Sequence, residues 1–200
     1  MIDLAGHAAL VTGSTKGVGR AIAEAYAAAG ADVILHGRRR SEDAEQAIAK
    51  CEQSGVRVAF VTGDLSGPTQ ESVAEVFEQA IEAMPSVDIL VNNAGTYIDK
   101  PFLEMDQETF GTTMRLNVAS PYFLTQRFAQ RWVPQGVAGR VLMIGSINGR
   151  LAEQTHTAYD TSKGALEMMV KSLCVALAPL KIRVNGLAPG LVRTPLTAII

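Results

Sequence analysis

Short apolar, β-branched runs alternate with longer stretches of helical character from one end of this chain to the other, and no other feature limits its possible folds so strictly. The runs fall at 7–12 (HAALVT), 32–36 (DVILH), 56–61 (VRVAFV), 87–91 (VDILV), 139–145 (GRVLMIG) and 181–187 (KIRVNGL). They are continuous rather than alternating, as in strands covered on both faces. The stretches between them, near 17–29, 41–54, 68–84, 106–133 and 157–178, are long enough for crossover helices. Ser41 ahead of Glu42 and Asp43 is a helix start, and Pro68 after Ser66-Gly67 is another. The pattern predicts stacked βαβ units: an α/β fold with a parallel sheet. The chain has 200 residues, 48% of them hydrophobic, and no linker, repeat or low-complexity segment, so one domain spanning 1–200 is expected.

Several function classes drop out at this stage. A formal net charge of −2 argues against a nucleic-acid surface, and Arg38-Arg39-Arg40 is the only basic run. Cys51 and Cys174 lack CxxC or zinc spacing, and His7, His36 and His156 lack metal-ligand spacing. No metal, two structural thiols and a reducing cytoplasm are therefore expected. The most apolar stretches are broken by Lys171, Pro179 and Lys181 before reaching membrane-spanning length, and no signal-peptide pattern precedes the first strand.

The first strand runs into TGSTKGVG at 12–19 and then an Ala-rich helix. Gly13, Gly17 and Gly19, with Ser14, Thr15, Lys16 and Val18 between them, let the backbone turn tightly and let a pyrophosphate approach the positive helix end. The spacing is G-x-x-x-G-x-G, not G-x-G-x-x-G. In its strand–loop–helix setting it points to a nucleotide, with a plain tight turn as the alternative. After the second strand, Gly37 stands where an acidic residue would hold the ribose hydroxyls of NAD; Arg38 follows, and Lys16 lies in the loop. Two cations and no carboxylate point to NADP(H), while Arg39 and Arg40 read as a solvated turn.

Asp64-Leu65 follow the third strand, where a carboxylate suits an adenine amino group as well as it suits the next turn's backbone. The fourth strand ends in VNNAG at 91–95. Asn92 there can bridge neighbouring segments, and Ala94-Gly95 leave room for a flat ligand, although alone the motif reads equally as a structural turn. In the helix expected over 106–133, Pro121 removes the partner of the Asn117 carbonyl, so a bend is expected. The freed carbonyl could hold a water; a kink that merely fits the helix to the sheet is the alternative.

Tyr159 and Lys163 are four residues apart, one turn along one helix face, and Ser146 precedes the tyrosine by thirteen. Asp160 points elsewhere by the same geometry. At about 4 Å and an effective dielectric near 20, the ammonium would stabilise a phenolate by on the order of 4 kcal/mol, roughly three pKa units. That would bring a phenol with an ordinary pKa near 10 toward working pH as an acid–base group. Such a pair arises by chance in about one chain in ten of this composition, so its weight depends on its company.

TGSTKGVG, Asp64, NNAG at 92–95, Asn117, Ser146, Tyr159-x-x-x-Lys163 and Pro189-Gly190 together resemble the short-chain dehydrogenase/reductase family, in order and spacing over all 200 residues. The resemblance implies a Rossmann-like doubly wound sheet in the order 3-2-1-4-5-6 and a reaction interconverting an alcohol and a ketone or aldehyde. It implies that Tyr159 is the general acid or base, and that Lys163 lowers its pKa and binds the nicotinamide ribose. Ser146 would orient the substrate oxygen and Asn117 would hold a relay water. Asp64 is similar to the family's adenine contact. Asn92, Ala94 and Gly95 resemble its ribose-side wall, and Pro189, Gly190, Val192 and Thr194 the segment beside the nicotinamide. Lys16 and Arg38 match the basic pair of NADP-preferring members. A homo-oligomer, tetramer or dimer, paired through the helices at 106–133 and 157–178, is implied too. Members usually continue past the PGLVRTP segment, so a last strand and substrate lid are expected to be missing; Thr194-Pro195 reads as the start of a helix.

Thr96, Asn148, Glu153, His156 and Tyr159, with Leu191 to Leu196, are expected to face the substrate. That polar set suits a small polyhydroxylated or hydroxy-acid molecule. Two other functions share these features: reduction of 3-oxoacyl groups on a carrier protein, which would dock on Arg127 and Arg131, and a non-catalytic NADP-binding sensor or scaffold.

Overall fold

The computed structural model describes residues 2–194; residues 1 and 195–200 lie outside them, and with these most of the helix start expected at Thr194-Pro195. Six strands, β1 (Ala8–Val11), β2 (Asp32–Gly37), β3 (Val58–Thr62), β4 (Ile89–Asn92), β5 (Arg140–Ile144) and β6 (Arg183–Leu187), form one sheet. All pairings are parallel, in the order β3-β2-β1-β4-β5-β6. Leu10 pairs with Ile34 on one side and Leu90 on the other, Leu90 with Val141, and Val141 with Val184. Helices α1 (Gly17–Ala28), α2 (Glu42–Glu52), α3 (Thr69–Ala83), α4 (Gln107–Met114), α5 (Ser120–Trp132) and α6 (Thr157–Leu177) make the connections.

Successive side chains of a strand point to opposite faces, so each central strand feeds two cores. Ala9, Val11, Val33, Leu35 and Val91 cluster with Ala23 and Ala27 of α1 and Ala47 and Cys51 of α2. Leu10, Ile34, Leu90, Val141 and Met143 face the other way, against Val73 and Val76 of α3, Leu124, Phe128 and Trp132 of α5, and Leu166 of α6. Trp132 keeps its one polar atom satisfied there, donating from Nε1 to the Val87 carbonyl at 2.7 Å.

Local chemistry sets the helix ends. Ser41 Oγ accepts from the Ala44 amide at 3.4 Å, with Glu42, Asp43 and Glu45 in the first turn of α2. The continuous helix expected over 106–133 is corrected: α4 stops at Met114, Arg115–Ala119 form a π-helical turn, and α5 begins at Ser120. Pro121 offers no N–H, and the interruption expected there takes the form of this π-helical turn. The structural role expected of both thiols fits Cys51, which is buried and pushed up to about 11 by that burial; Cys174 is exposed on α6. No helix among the described residues is long and apolar enough to cross a membrane.

Candidate active site

A crevice forms in a doubly wound sheet where neighbouring strands send their connections to opposite faces. Here that place lies between β1, which leads to α1, and β4, whose connection leads to the opposite face. The two turns leaving it are locked together. Thr12 Oγ1 accepts from the amides of Asn93 and Ala94, both at 3.0 Å. Asn93 Nδ2 donates to the carbonyls of Thr12 at 2.9 Å and Gly13 at 3.0 Å. A Cβ on Gly13 would lie 2.9 Å from Ala94 Cα, and one on Gly19 2.3 Å from Asn93 Nδ2. Lys16 sits at the N-cap of α1 without a side-chain cap bond, and the first turn holds no acidic residue. The leading amides of α1 therefore suit an anion, and the close-packed glycines leave a cradle that fits a dinucleotide pyrophosphate. Gly13, Ser14, Thr15, Lys16, Gly17, Val18 and Gly19 make up this cradle. A Cβ on Gly17 would come 3.6 Å from Thr194 Cβ, so the segment after β6 returns to the loop.

The adenine-side corner lies at the ends of β2 and β3. A Cβ at Gly37 would meet Thr15 Cγ2 at 2.7 Å, so a carboxylate side chain there would require the Thr15 side chain to move. Arg38 is exposed, and its charge helps lower the Asp64 carboxyl, after the Ser66 hydroxyl and amide that bond to it. Asp64 Oδ1 accepts from Ser66 N at 3.0 Å and Ser66 Oγ at 2.6 Å, which realises its turn-forming alternative. The side chain of Leu65 belongs to the core, 4% exposed. His36, which the sequence did not single out for the site, is buried among these turns, its imidazole pushed down to about 4 chiefly by burial.

The catalytic candidates converge past the ends of β4 and β5. Lys163 Nζ, on α6, donates to the Ile144 carbonyl at 3.0 Å and lies 5.5 Å from the Tyr159 ring centroid. A Cβ at Gly95 would sit 3.8 Å from that Nζ and 3.2 Å from Asn117 Oδ1. Asn117 is buried at the π turn; Oδ1 accepts from Thr96 N at 2.8 Å, and Nδ2 donates to Thr96 O and Ser162 Oγ, both at 2.9 Å. Its amide thus ties the β4 turn to α6. Ser146 caps a short 3-10 turn at Ile147–Gly149, and its Oγ accepts from Asn148 N at 3.1 Å. The Ile147 amide donates to Pro189 O at 3.1 Å, bringing the β6 turn beside it.

Two expectations change here. Burial raises the Tyr159 phenol above its ordinary range, the Ser146 hydroxyl bonded to it pulls it down, and the Asp160 charge pushes it up. The ammonium expected to depress it lies near the ring and is held by the Ile144 carbonyl, while burial drops Lys163 itself to about 8. The side chain of Asn92 turns inward to Thr125 Oγ1 at 3.0 Å and Met143 Sδ at 3.3 Å, and it is Asn93 that braces the glycine loop. Asp160 does point away from the phenol: it accepts from Asn148 Nδ2 and Glu153 N, each at 2.9 Å.

A polar cluster adjoins Tyr159. Tyr97, missed in the sequence, packs edge-on against Tyr159 at 5.6 Å and His156 at 4.6 Å, and its hydroxyl lies 2.8 Å from His156 Nε2. Asn148 Nδ2 also reaches Glu153 Oε1 at 3.2 Å. The segment Leu191 to Leu196 falls partly outside the described residues, and among those described Leu191 is exposed.

Comparison with known proteins gives the same picture. The family described as short chain dehydrogenase matches residues 7–200. The L-rhamnose 1-dehydrogenase (NADP(+)) of Thermoplasma acidophilum is 34% identical over 97% of this chain and 76% of its own. The 3-oxoacyl-[acyl-carrier-protein] reductase of Aquifex aeolicus is 36% identical over 100% of this chain and 79% of its own. A crystal structure of a Beutenbergia cavernae protein assigned as an NAD(P)-dependent gluconate 5-dehydrogenase, with NADP bound at low occupancy, superposes with a TM-score of 0.90. It shares 33% identity and covers 99% of this chain and 77% of that one.

Burial of neutral His36 carries a pH signature. Its folded pKa of about 4 lies below the ordinary 6.5, so the unfolded chain binds the proton first and stability is lost as pH falls from about 6.5 to 4. The loss attributable to this ring is on the order of 3 kcal/mol. Urea denaturation across that range is expected to show wild type losing more stability than His36→Asn; parallel profiles would contradict the assignment.

Proposed function

The chain belongs to the short-chain dehydrogenase/reductase family and is an oxidoreductase of CH–OH groups; on that premise we propose that it interconverts an alcohol and a ketone or aldehyde on a small polar substrate, a sugar, polyol or hydroxy acid, preferring NADP(H) over NAD(H). The observation that carries this reading is the convergence of Ser146, Tyr159, Lys163 and Asn117 past the ends of β4 and β5, next to the glycine cradle. The polar groups of Asn148, Glu153, His156 and Tyr97 supply partners for substrate hydroxyls.

In this reading the glycine loop and the α1 terminus hold the pyrophosphate, and Lys16 and Arg38 hold the 2′-phosphate. Asp64 and Leu65 flank the adenine. Asn92, through its strand end, and Ala94 and Gly95 flank the ribose side, Lys163 binds the nicotinamide ribose, and Pro189, Gly190, Val192 and Thr194 lie beside the nicotinamide. The cofactor, when bound, supplies or accepts the hydride. Tyr159 is kept neutral by burial and so carries the proton that a carbonyl oxygen needs as it becomes an alcohol. Ser146 Oγ, bonded to that phenol, shares the substrate oxygen and fixes its orientation. Lys163, with a pKa of about 8, remains largely cationic at neutral pH and favours the phenolate left after the transfer. Asn117 holds the β4 turn against α6, and its carbonyl is the acceptor for a relay water.

A second reading, reduction of carrier-bound 3-oxoacyl groups, draws on the Aquifex relative and on Arg127, which lines a groove with Thr69, Phe123 and Gln130. Its other candidate, Arg131, already donates to the Pro85 carbonyl at 3.3 Å. A scaffold without turnover would have no use for a Ser–Tyr–Lys set of which the half-buried Tyr159 and Ser146 adjoin the buried Lys163. Exposed Tyr122 and Phe123 on α5 and Met168 and Val175 on α6 support pairing of copies.

Tyr159→Phe is expected to lower turnover by about 10²–10⁴-fold while leaving NADPH affinity within about twofold. Retained hydride transfer would remove Tyr159 from its role. Arg38→Ala is expected to weaken NADPH binding by about tenfold and to leave NADH nearly unaffected, read by titration of both cofactors. Tighter binding of NADH than NADPH by wild type would contradict the preference.

A further inference from the structure

His36 is 3% exposed and uses both of its ring nitrogens on backbone groups from two different turns. Nδ1 lies 3.0 Å from the Gly13 amide, and Nε2 lies 3.2 Å from the Gly63 carbonyl. An amide can only donate and a carbonyl can only accept, so the tautomer is fixed: Nδ1 accepts from Gly13 and Nε2–H donates to Gly63. The main chain of the same residue adds two more links. Its amide donates to Ser14 Oγ at 2.9 Å, and its carbonyl accepts from the Ser14 amide at 2.9 Å.

We propose that His36 is a positioning residue for the dinucleotide: its ring, tied through Nε2 to the turn at Gly63-Asp64, fixes the first turn of the glycine loop through Nδ1, so that affinity depends on the acceptor offered to the Gly13 amide. The proposal rests on the reading of this crevice as the dinucleotide site. Gly13 is where such a spacer has leverage. It adopts φ of +63° and already abuts Ala94, so a displacement there moves the first turn of the cradle. Gly63 leads directly to Asp64, which faces Arg38 at the other end of the same corner. One ring therefore spans the distance between the pyrophosphate end and the adenine end. A side chain without an acceptor at the δ position leaves the part-buried Gly13 amide without its partner.

The ring is also protected from the change that would reverse its polarity. Burial is the dominant influence on it, and the Asp64 carboxylate, the charge acting on it, opposes that influence without overcoming it. At neutral pH Nδ1 stays an acceptor. A second N–H would face the Gly13 amide donor to donor.

The test compares His36→Asn and His36→Gln with wild type by direct titration of NADPH and by thermal midpoint without cofactor. Asn attaches its oxygen to Cγ, as the ring attaches Nδ1, and so keeps an acceptor for Gly13; Gln reaches only toward Gly63. His36→Asn is expected to bind NADPH within about threefold of wild type and His36→Gln about tenfold or more weakly, with similar thermal midpoints for the two. Equal affinity for NADPH in all three proteins overturns the proposal. So does an equal weakening in both variants that tracks a fall in thermal midpoint, which is the mark of a merely structural residue. Failure of wild type itself to bind NADPH would instead remove the dinucleotide reading on which the proposal stands.

Discussion

The hydrogen bonds between Thr12 and Asn93 fix the distance between the turns that leave β1 and β4, and the rest of the crevice is built outward from them. One threonine oxygen receives two amides of the β4 turn, and one asparagine amide answers with two bonds to the β1 turn. These bonds hold two loops that parallel strand pairing brings close but does not align. Gly13 and Gly19 are glycines because that closeness leaves no space for a Cβ. The same β4 turn continues to Gly95 and Thr96, where Asn117 takes it over and binds it to α6. The glycine loop and the cluster of candidate catalytic residues are thus two ends of one hydrogen-bonded framework.

Burial, more than any single charge, sets the electrostatics within that framework. It raises the phenol of Tyr159 and lowers the ammonium of Lys163, in both cases toward the neutral form. Only Lys163 is brought toward neutral pH by this; the phenol is moved away from it. Ser146 acts against burial at Tyr159, while Asp160, fastened to Asn148 and the Glu153 amide, acts with it. The phenol therefore stays protonated over the neutral range.

Much of this was legible in the sequence, and the parts that were not share a cause. Continuous β-branched runs gave away the strands, because a strand buried on both faces has no polar side to show. The i,i+4 spacing of Tyr159 and Lys163 was readable because helical geometry alone determines it. The direction of the tyrosine shift was not, since it depends on how far both groups are buried and on the Ile144 carbonyl that holds the ammonium. Asn92 and Asn93 look alike in NNAG; β4 ends at Asn92 with its side chain turned into the core, and so leaves Asn93 to reach the glycine loop. Pro121 announced an interruption, but whether the helix bends or widens into a π turn depends on its packing between the sheet and α6. His36 was not singled out for the site, because its two partners lie in the turns after β1 and β3, which meet the end of β2 only in the folded sheet.

The central claim is that this framework turns over a small polar carbonyl compound or alcohol with NADP(H). The most direct measurement is cofactor oxidation by wild-type protein, with NADPH and NADH in parallel, over a panel of keto sugars, sugar lactones, keto acids and acyl thioesters, with the matching alcohols assayed in reverse. The account predicts turnover on at least one sugar-like or keto-acid member, faster with NADPH. Tight NADPH binding with no turnover on any member, or turnover confined to acyl thioesters, would contradict it.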